Sequence, residues 1–329
     1  MTEPSKVSRK EIEILRILSE SAEPLGSTVI RRELEKRGFF LSERTVRYHL
    51  QMLELKGLVS GHERGRTITS KGLEELSRAL VSHRVGFAIT RFLSMAYSVT
   101  YDPATDSGMV VTNVSIVDKK FYDKTIEIVR SLHEADLLLA PYIKILDESE
   151  EYQNISVSEG KIALFTVCDL TVDGILIHSG IPLFFKYGGL VQVVNRKPLR
   201  FIELISYEGT TVPPLELFVR SNQTSVIKVM RTGSGVLPAA MREIVAEARE
   251  KTLKLLSALK EKDWRGTLAL SAPNEPLLGV PVAMDRFGLC MLGGLVPGAA
   301  LLEEGVKVET FAPHCLIPIE EMKHIGSLS

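Results

Sequence analysis

The stretch from residue 42 to residue 69 constrains the fold most, because its periodicity changes from helical to strand-like within one turn. Val46, Leu50 and Leu53 recur at the spacing of one helix face, and Gly57 marks where that helix should end. Two short runs with strand character follow on either side of a Gly-containing turn, Leu58–Ser60 and Arg66–Thr69. The stretch therefore predicts a helix followed by a tight hairpin.

Two further helices are predicted ahead of this stretch. Ser8 and Glu11 have the spacing of a capping box, in which each residue satisfies a free backbone N–H of the other. Ser27 and Ser42 are predicted to cap the second and third helices, and Ser70 a fourth that runs to about residue 82. Three helices and then a hairpin form the arrangement of a winged helix-turn-helix.

The third helix also carries polar side chains on a face of its own. Arginine, tyrosine and glutamine side chains there can reach phosphates or base edges in a major groove. A solvated amphipathic helix would show the same pattern, but the hairpin that follows favours DNA binding. We predict double-stranded DNA as a partner, contacted by Arg44, Thr45, Arg47, Tyr48, Gln51, Arg64 and Arg66.

Charge is divided unevenly along the chain. Residues 1–72 hold 14 Lys and Arg against 10 Asp and Glu, so this part carries +4 and the remainder about −5 of the total of −1. A basic segment joined to an acidic body is typical of a nucleic-acid-binding module attached to another domain. We predict a DNA-binding domain over residues 1–85 and a regulatory domain over residues 86–329.

Cysteine usage indicates a reducing, cytoplasmic setting. Cys168, Cys290 and Cys315 are far apart and form no C-x-x-C motif, and His314 next to Cys315 lacks a second cluster to complete a metal site. The longest uncharged stretch, Phe287–Leu302, has 16 residues and is interrupted by glycines and a proline. It is too short for a membrane span, so we predict neither a membrane nor a metal partner.

The regulatory part shows signs of an internal duplication. Gly180-Ile181-Pro182-Leu183 matches Gly279-Val280-Pro281-Val282 at an offset of 99 residues, and Glu127-Ile128-Val129 matches Glu243-Ile244-Val245 at an offset of 116. Chance similarity of short Gly-x-Pro runs is the alternative explanation. The fold class predicted is α+β, with a winged helix-turn-helix followed by a duplicated α/β regulatory domain whose halves are about 86–222 and 223–329.

Each half is predicted to run strand, long helix, strand and then a Gly- and Pro-rich segment. In the first half these elements are placed at Met109–Val117, Lys120–Leu139 and Lys161–Val167. In the second half they are placed at Val226–Arg231, Leu237–Glu261 and Thr267–Ser271. A cleft between two such halves is a natural site for a small ligand.

A series of short segments in the body forms a distinctive set of motifs. They are Glu159-Gly160-Lys161, Thr166-Val167-Cys168, Asp173-Gly174-Ile175-Leu176-Ile177, Gly180-Ile181-Pro182, Gly188-Gly189-Leu190, Pro198-Leu199-Arg200-Phe201, Arg242-Glu243-Ile244 and Gly293-Gly294-Leu295. These motifs resemble those of the NrpR-type nitrogen regulators of archaea and some bacteria. Their order is fairly specific, and the similarity spans residues 86–322. The resemblance implies a repressor of nitrogen-assimilation genes that 2-oxoglutarate releases from DNA, with no other cofactor.

A dicarboxylate effector needs fixed cations and backbone N–H donors in a partly dehydrated cleft. On the matching motifs these are predicted to come from Thr166, Cys168, Lys186, Gly188, Gly189 and Arg200. The family has Arg and Phe where Lys186-Tyr187 stand, so the charge is kept but the bidentate fork of arginine is lost. Cys168 could equally be a buried core thiol, and Arg200 and Arg242 could be partners in structural ion pairs.

Two other functions remain open from the sequence. One is a winged-helix repressor that responds to a different small metabolite, such as an amino acid. The other is an enzyme in which Cys168 is a nucleophile and His178 its base, although no local catalytic signature surrounds either residue. We predict a regulator and not an enzyme. One winged helix covers a single half-site, so a homodimer formed by the regulatory domain is expected.

Overall fold

The protein is described here by a computed structural model that covers residues 7–21, 23–78, 87–153 and 155–327. Its contacts divide the chain into two units, Met1–Gly86 and Phe87–Ser329, which we call the head and the body. Within the described residues, no helix combines the length and the apolar character needed to cross a bilayer.

The head follows the predicted order of elements. Its described elements are α1 (Arg9–Ser19), α2 (Ser27–Lys36), α3 (Glu43–Leu55), β1 (Val59–His62), β2 (Gly65–Ile68) and α4 (Ser70–Arg78). β1 and β2 form an antiparallel hairpin in which Val59 lies opposite Ile68, and Leu25 bridges to Arg66 on the outer side of β2. The winged helix-turn-helix prediction is therefore confirmed.

Two of the four predicted helix caps are confirmed and two are wrong. Ser8 forms the capping box with Glu11, and the Ser42 hydroxyl accepts the amide of the third residue of α3. Ser27 is instead the first residue of α2, and its hydroxyl donates to Glu43 at 3.1 Å. Ser70 likewise is the first residue of α4. The Gly72 amide in its first turn donates to the hydroxyl of Thr69. The predicted end of this helix near residue 82 lies outside the described residues.

The body begins with α5 (Ala88–Tyr97) and then contains two α/β halves. The elements up to residue 232 are β3 (Met109–Asp118), α6 (Tyr122–Glu134), β4 (Tyr142–Leu146), β5 (Glu151–Tyr152), β6 (Ile155–Ser156), β7 (Lys161–Val167), α7 (Leu170–His178), β8 (Leu183–Val194), β9 (Lys197–Ser206), α8 (Pro214–Arg220) and α9 (Val226–Thr232). The remaining elements are β10 (Gly235–Val245), α10 (Arg249–Glu261), β11 (Thr267–Leu270), β12 (Arg286–Leu292), α11 (Val296–Glu303), β13 (Glu309–Pro318) and β14 (Lys323–His324).

The two halves exchange a strand. One sheet has the order β13-β3-β7-β4-β14 and the other β11-β12-β10-β8-β9, and all described pairings are antiparallel. β8 follows α7 of the first half but pairs with β10 of the second, while β13 follows α11 and pairs with β3. Each half is thus completed by the other, which makes the body a single intertwined unit.

The duplication is confirmed, but the predicted correspondence between the halves is wrong. Equivalent elements start 125 to 127 residues apart, at Met109 and Gly235, Tyr122 and Arg249, Lys161 and Arg286, Leu170 and Val296, and Leu183 and Glu309. The matched Gly-x-Pro runs are not equivalent, because Gly180 directly precedes β8 whereas Gly279 lies between β11 and β12. The two halves therefore share the same order of elements, but these short sequence matches do not mark equivalent positions.

Two element predictions in the second half are also wrong. Val226–Arg231 is helical, and Gly233, with φ of 71°, ends that helix. The predicted helix at Leu237–Glu261 is a strand, β10, up to Val245 and becomes α10 only from Arg249. β10 lies in the middle of its sheet with nearly every residue buried, so the alternation that reveals a strand is missing.

Candidate DNA interface and effector cavity

Helix α3 presents opposite faces to the core and to solvent. Val46 and Leu53 are fully buried in the head core and Leu50 nearly so. Most of the polar residues predicted to contact DNA are exposed: Arg44, Arg47, Tyr48 and Gln51 on α3 and Arg64 in the hairpin turn. This exposed face has the guanidinium, phenol and amide groups that major-groove contacts require.

The other two residues predicted to contact DNA, Arg66 and Thr45, form hydrogen bonds to other side chains of the head. Arg66 is half-buried, and its Nε donates to Glu54 at 3.1 Å, which ties β2 to α3. The Thr45 hydroxyl lies 2.8 Å from the hydroxyl of Ser42 at the helix N-terminus. Arg47 is exposed but forms an ion pair with Glu43, so it must exchange this partner to contact DNA. These placements do not test DNA contact, which stays a prediction for all seven residues.

A small cavity with a volume of about 30 Å³ lies in the body beside the start of α7. This volume is below the range of about 300–1,000 Å³ usual for small-molecule sites, so a metabolite enters only if the walls move apart. The walls are mostly apolar, with a few polar groups among them. The lining residues are Phe92, Asn113, Cys168, Asp169, Leu170, Tyr207, Pro213, Pro214, Leu215, Arg242, Leu295, Ala312 and Pro313.

One wall of the cavity is a buried ion triad. Arg242 on β10 is fully buried and donates to Asp173 through Nε at 3.0 Å and Nη2 at 2.7 Å. Its Nη2 also donates to Asp169 at 3.2 Å, and its guanidinium lies against the rings of Phe185 and Tyr207. Despite Arg242, burial raises the pKa of Asp173 to about 6. Arg242 therefore forms a structural ion pair, the alternative that its sequence context left open.

Asn113 is the unsatisfied polar group of the cavity. The residue is 2% exposed, and neither its amide nitrogen nor its amide oxygen has a hydrogen-bond partner. Buried polar groups are normally paired because leaving them unpaired costs about 1–3 kcal/mol. An unpaired amide inside a small cavity is a group that a bound water or a polar atom of a ligand would satisfy.

Two helices begin at this cavity. Leu170 and Leu295, which line it, are the first residue of α7 and the N-cap of α11, the equivalent helices of the two halves. The Gly294 amide donates to Asp169 at 3.4 Å, and a Cβ at Gly294 would lie 2.6 Å from the Asn113 amide nitrogen. Helix N-termini carry partial positive charge and free N–H groups, and here the Asp169 carboxylate already lies at the start of α7 and accepts from the Gly294 amide.

Cys168 lies in the cavity wall but is a poor nucleophile. Burial and the neighbouring Asp169 carboxylate raise the pKa of its thiol well above the ordinary value, which disfavours the reactive thiolate. His178 lies at the opposite end of α7, where its Nε2 contacts the Tyr97 carbonyl at 2.7 Å. The structure therefore does not bring together the pair on which the enzyme hypothesis depended.

The other predicted effector residues are spread over three strands. Thr166 on β7 lies directly opposite Asn113 and is equally buried, while a Cβ at Gly188 would lie 2.7 Å from Pro214 in the cavity wall. Lys186 and Arg200 do not line the cavity. Lys186 Nζ is 4.0 Å from Glu243, and the exposed Arg200 donates to Gln192.

Gly189 faces away from this wall, since a Cβ there would lie 2.4 Å from the Glu203 carbonyl of β9. Its effector role, like those of the other five predicted residues, stays a prediction.

Three residues that line the cavity, Asn113, Asp169 and Tyr207, were not predicted from the sequence, nor was Arg91, which contacts a lining residue. Arg91 on α5 donates to the carbonyl of Pro313 at the cavity wall, and partial burial lowers the pKa of its guanidinium. A signal for Asn113 was present, because Thr112, Asn113 and Ser115 interrupt an otherwise apolar buried strand. Polar residues in such a strand need a structural or ligand partner.

Comparisons with known proteins agree with this architecture. Residues 85–324 match the family of NrpR regulatory domains NRD1 and 2, and residues 12–76 match the ribonuclease R winged-helix domain. The chain is 39% identical to a global nitrogen regulator NrpRI of Methanosarcina mazei, over 97% of this chain and 99% of the relative. It is 34% identical to a global nitrogen regulator NrpR of Methanocaldococcus jannaschii, over 96% of this chain but 55% of that longer relative.

A solved structure is also similar. The crystal structure of a nitrogen repressor-like protein from Methanococcus jannaschii superimposes with a TM-score of 0.62 and 28% sequence identity. The match covers 73% of this chain and 98% of that one.

Proposed function

The chain belongs to the NrpR family of nitrogen regulators, and from this premise we propose that it represses nitrogen-assimilation genes until 2-oxoglutarate binds its body. Its relatives are named as regulators, and its buried Cys168 is separated from His178. Both facts favour a regulator over an enzyme.

The DNA-binding half of the proposal depends on the exposed face of α3. The side chains there can read bases in a major groove, while Arg64 in the turn between β1 and β2 reaches the phosphate backbone beside it. The buried face of the same helix fixes its orientation on the head core. The head thus presents a rigid recognition element.

The proposal that the body binds the effector depends on one observation: Asn113 is buried in the cavity with both amide atoms unpaired. A carboxylate or keto oxygen would accept from its Nδ2, and the starts of α7 and α11 would stabilise the negative charge. 2-Oxoglutarate has both kinds of oxygen. The apolar walls would cover its two methylene groups.

The charge balance of the cavity requires a cation besides Arg242. Arg242 with ionised Asp169 and Asp173 carries a net charge of −1, which would repel a dicarboxylate. Arg91 would supply the further positive charge: it is exposed and does not itself line the cavity, but its guanidinium donates to the carbonyl of Pro313, which does. We therefore assign Arg91 and Asn113 as the residues that bind the effector.

A second copy of the chain completes the operator complex. A two-fold operator has half-sites about 34 Å or a multiple apart, and one winged helix reads one of them. β9 is the last strand of its sheet and exposes three apolar side chains, Leu199, Ile202 and Leu204. We place the homodimer contact on this strand.

The test measures the affinity of the full chain for fluorescently labelled operator DNA with and without 2-oxoglutarate. Ligands that shift such equilibria typically change affinity by about 5–150-fold, and we expect weakening in this range. Asn113→Ala and Arg91→Gln should bind DNA normally but lose the response. Arg231→Gln is the matched control, because this exposed arginine pairs with Glu304 away from the cavity.

Other outcomes identify which part of the proposal fails. If Lys186→Ala or Arg200→Ala abolishes the response while Asn113→Ala keeps it, the effector binds beside β8 and β9 and not in the cavity. If 2-oxoglutarate leaves the DNA affinity of the wild type unchanged, the effector is wrong. The search then moves to other metabolites such as amino acids, with DNA binding unaffected.

A further inference from the structure

Two imidazoles and a carboxylate meet on the body outside the effector cavity. His133 Nε2 lies 3.2 Å and His324 Nε2 3.9 Å from Asp263 Oδ2, and one ligand atom of each residue lies within 4.8 Å of the others. We propose that these three side chains bind a transition-metal ion, with Zn²⁺ as the ion that fits best.

The fold brings the three residues together from distant parts of the chain. His133 is in the last turn of α6, and Asp263 follows the equivalent helix α10 with φ of 63°. His324 is in β14, where it pairs with Tyr142 of β4 at the sheet edge. A bound ion would therefore fasten the C-terminal segment to both halves of the body.

The spacing suits a tetrahedral ion. Zn²⁺ binds imidazole nitrogen and carboxylate oxygen at about 2.0–2.1 Å, which places tetrahedral ligands about 3.3 Å apart. The distances of 3.2 Å and 3.9 Å lie near this value, and the two imidazole ligand atoms are within 4.8 Å of each other, so binding requires the ligands to close by at most about 1.5 Å. Three protein ligands leave a fourth position for water, and imidazole suits Zn²⁺ better than Mg²⁺ or Ca²⁺.

The carboxylate is already oriented for this role. Arg265 donates to Oδ1 of Asp263 from Nε at 2.7 Å, and it also pairs with Asp136 at 3.4 Å. Oδ2 is thereby left facing the two imidazoles. Such outer partners of a ligating carboxylate fix its direction and help to set metal affinity.

One existing hydrogen bond must change when the ion binds. Nδ1 of His324 accepts the Gly326 amide at 3.1 Å, so its proton is on Nε2, facing Asp263. An ion at Nε2 moves the proton to Nδ1, and the Gly326 amide must then turn away. Metal binding should therefore change the conformation of the turn Ile325–Ser327.

The experiment uses the full chain without a histidine tag. Calorimetry with Zn²⁺ should give one ion per chain, and Co²⁺ should give the intense visible absorption of a tetrahedral site. His133→Gln and His324→Gln should each weaken binding by more than about 100-fold, because losing even an outer partner costs about 10–100-fold. Zn²⁺ should also raise the unfolding temperature of the wild type.

His314→Gln is the matched control, since His314 is another body histidine that contacts the Gln153 carbonyl instead of this cluster. Its zinc affinity should equal that of the wild type. Two results would overturn the site: no binding of Zn²⁺ or Co²⁺ by the wild type at micromolar metal, or full binding by the His133→Gln/His324→Gln double variant. Unfolding curves of the metal-free variants establish that each is folded.

Discussion

Arg242 and Asp173 form a bidentate ion pair in which both side chains are completely buried. The pair joins β10 of one half to α7 of the other. Removing one partner leaves an uncompensated buried charge, which costs about 3–5 kcal/mol. Asp173→Asn and Arg242→Met should each lower the free energy of unfolding, measured in urea, by about 3–5 kcal/mol. Glu250→Gln, which breaks the exposed pair with Lys254, should leave it unchanged.

The same pair predicts a pH dependence. Burial raises the pKa of Asp173 from 3.8 to about 6, so between these values the folded chain binds a proton that the unfolded chain does not. This contribution to stability grows as the pH falls from 7 towards 4 and is lost as the pH rises through 6. The stability difference between wild type and Asp173→Asn should therefore widen on acidification. A constant difference from pH 7 to pH 5 would contradict the prediction.

Arg47 tests the recognition helix. Arg47→Ala should weaken binding to a mapped operator by about 1–3 kcal/mol if the guanidinium reads a base edge. The unfolding temperature should hardly change, because the side chain is 66% exposed and bonded mainly to the neighbouring Glu43. Fluorescence anisotropy and thermal unfolding measure the two effects. Unaltered operator affinity would exclude Arg47 from the interface.

Arg64 tests the wing. Arg64→Ala should weaken binding to operator and to unrelated DNA by similar factors, because a phosphate contact carries no sequence information. The slope of log affinity against log salt concentration should fall by about 1, the value for one lost phosphate contact. A loss confined to the operator would instead indicate that Arg64 reads a base.

Ile202 tests the homodimer. It is exposed on β9 next to two other exposed apolar residues of the strand, and Ile202→Lys would place a charge in the proposed contact. Light scattering should show a dimer for the wild type and a monomer for the variant, while Leu253→Lys on α10 is the control at an equally exposed apolar site. A wild type that stays monomeric at tens of micromolar would refute the dimer.

The elements of the head follow from local sequence signals. Helices, caps and hairpins form between residues close along the chain, so spacing and turn residues predict them. The same local signals separated the buried Val46 from the exposed Arg47 on α3. The errors at Ser27 and Ser70 concern only which residue precedes the first helical turn.

The arrangement of the body depends on contacts between residues that are far apart in the sequence. β10 has no alternation because its central residues are all buried, and its Ala, Met, Arg and Glu residues favour helix when read locally. The exchange of β8 and β13 depends on pairing between distant strands, which leaves no local signal. Asn113, Asp169 and Arg242 likewise meet only after that exchange, and therefore no spacing in the sequence could reveal the cavity they form.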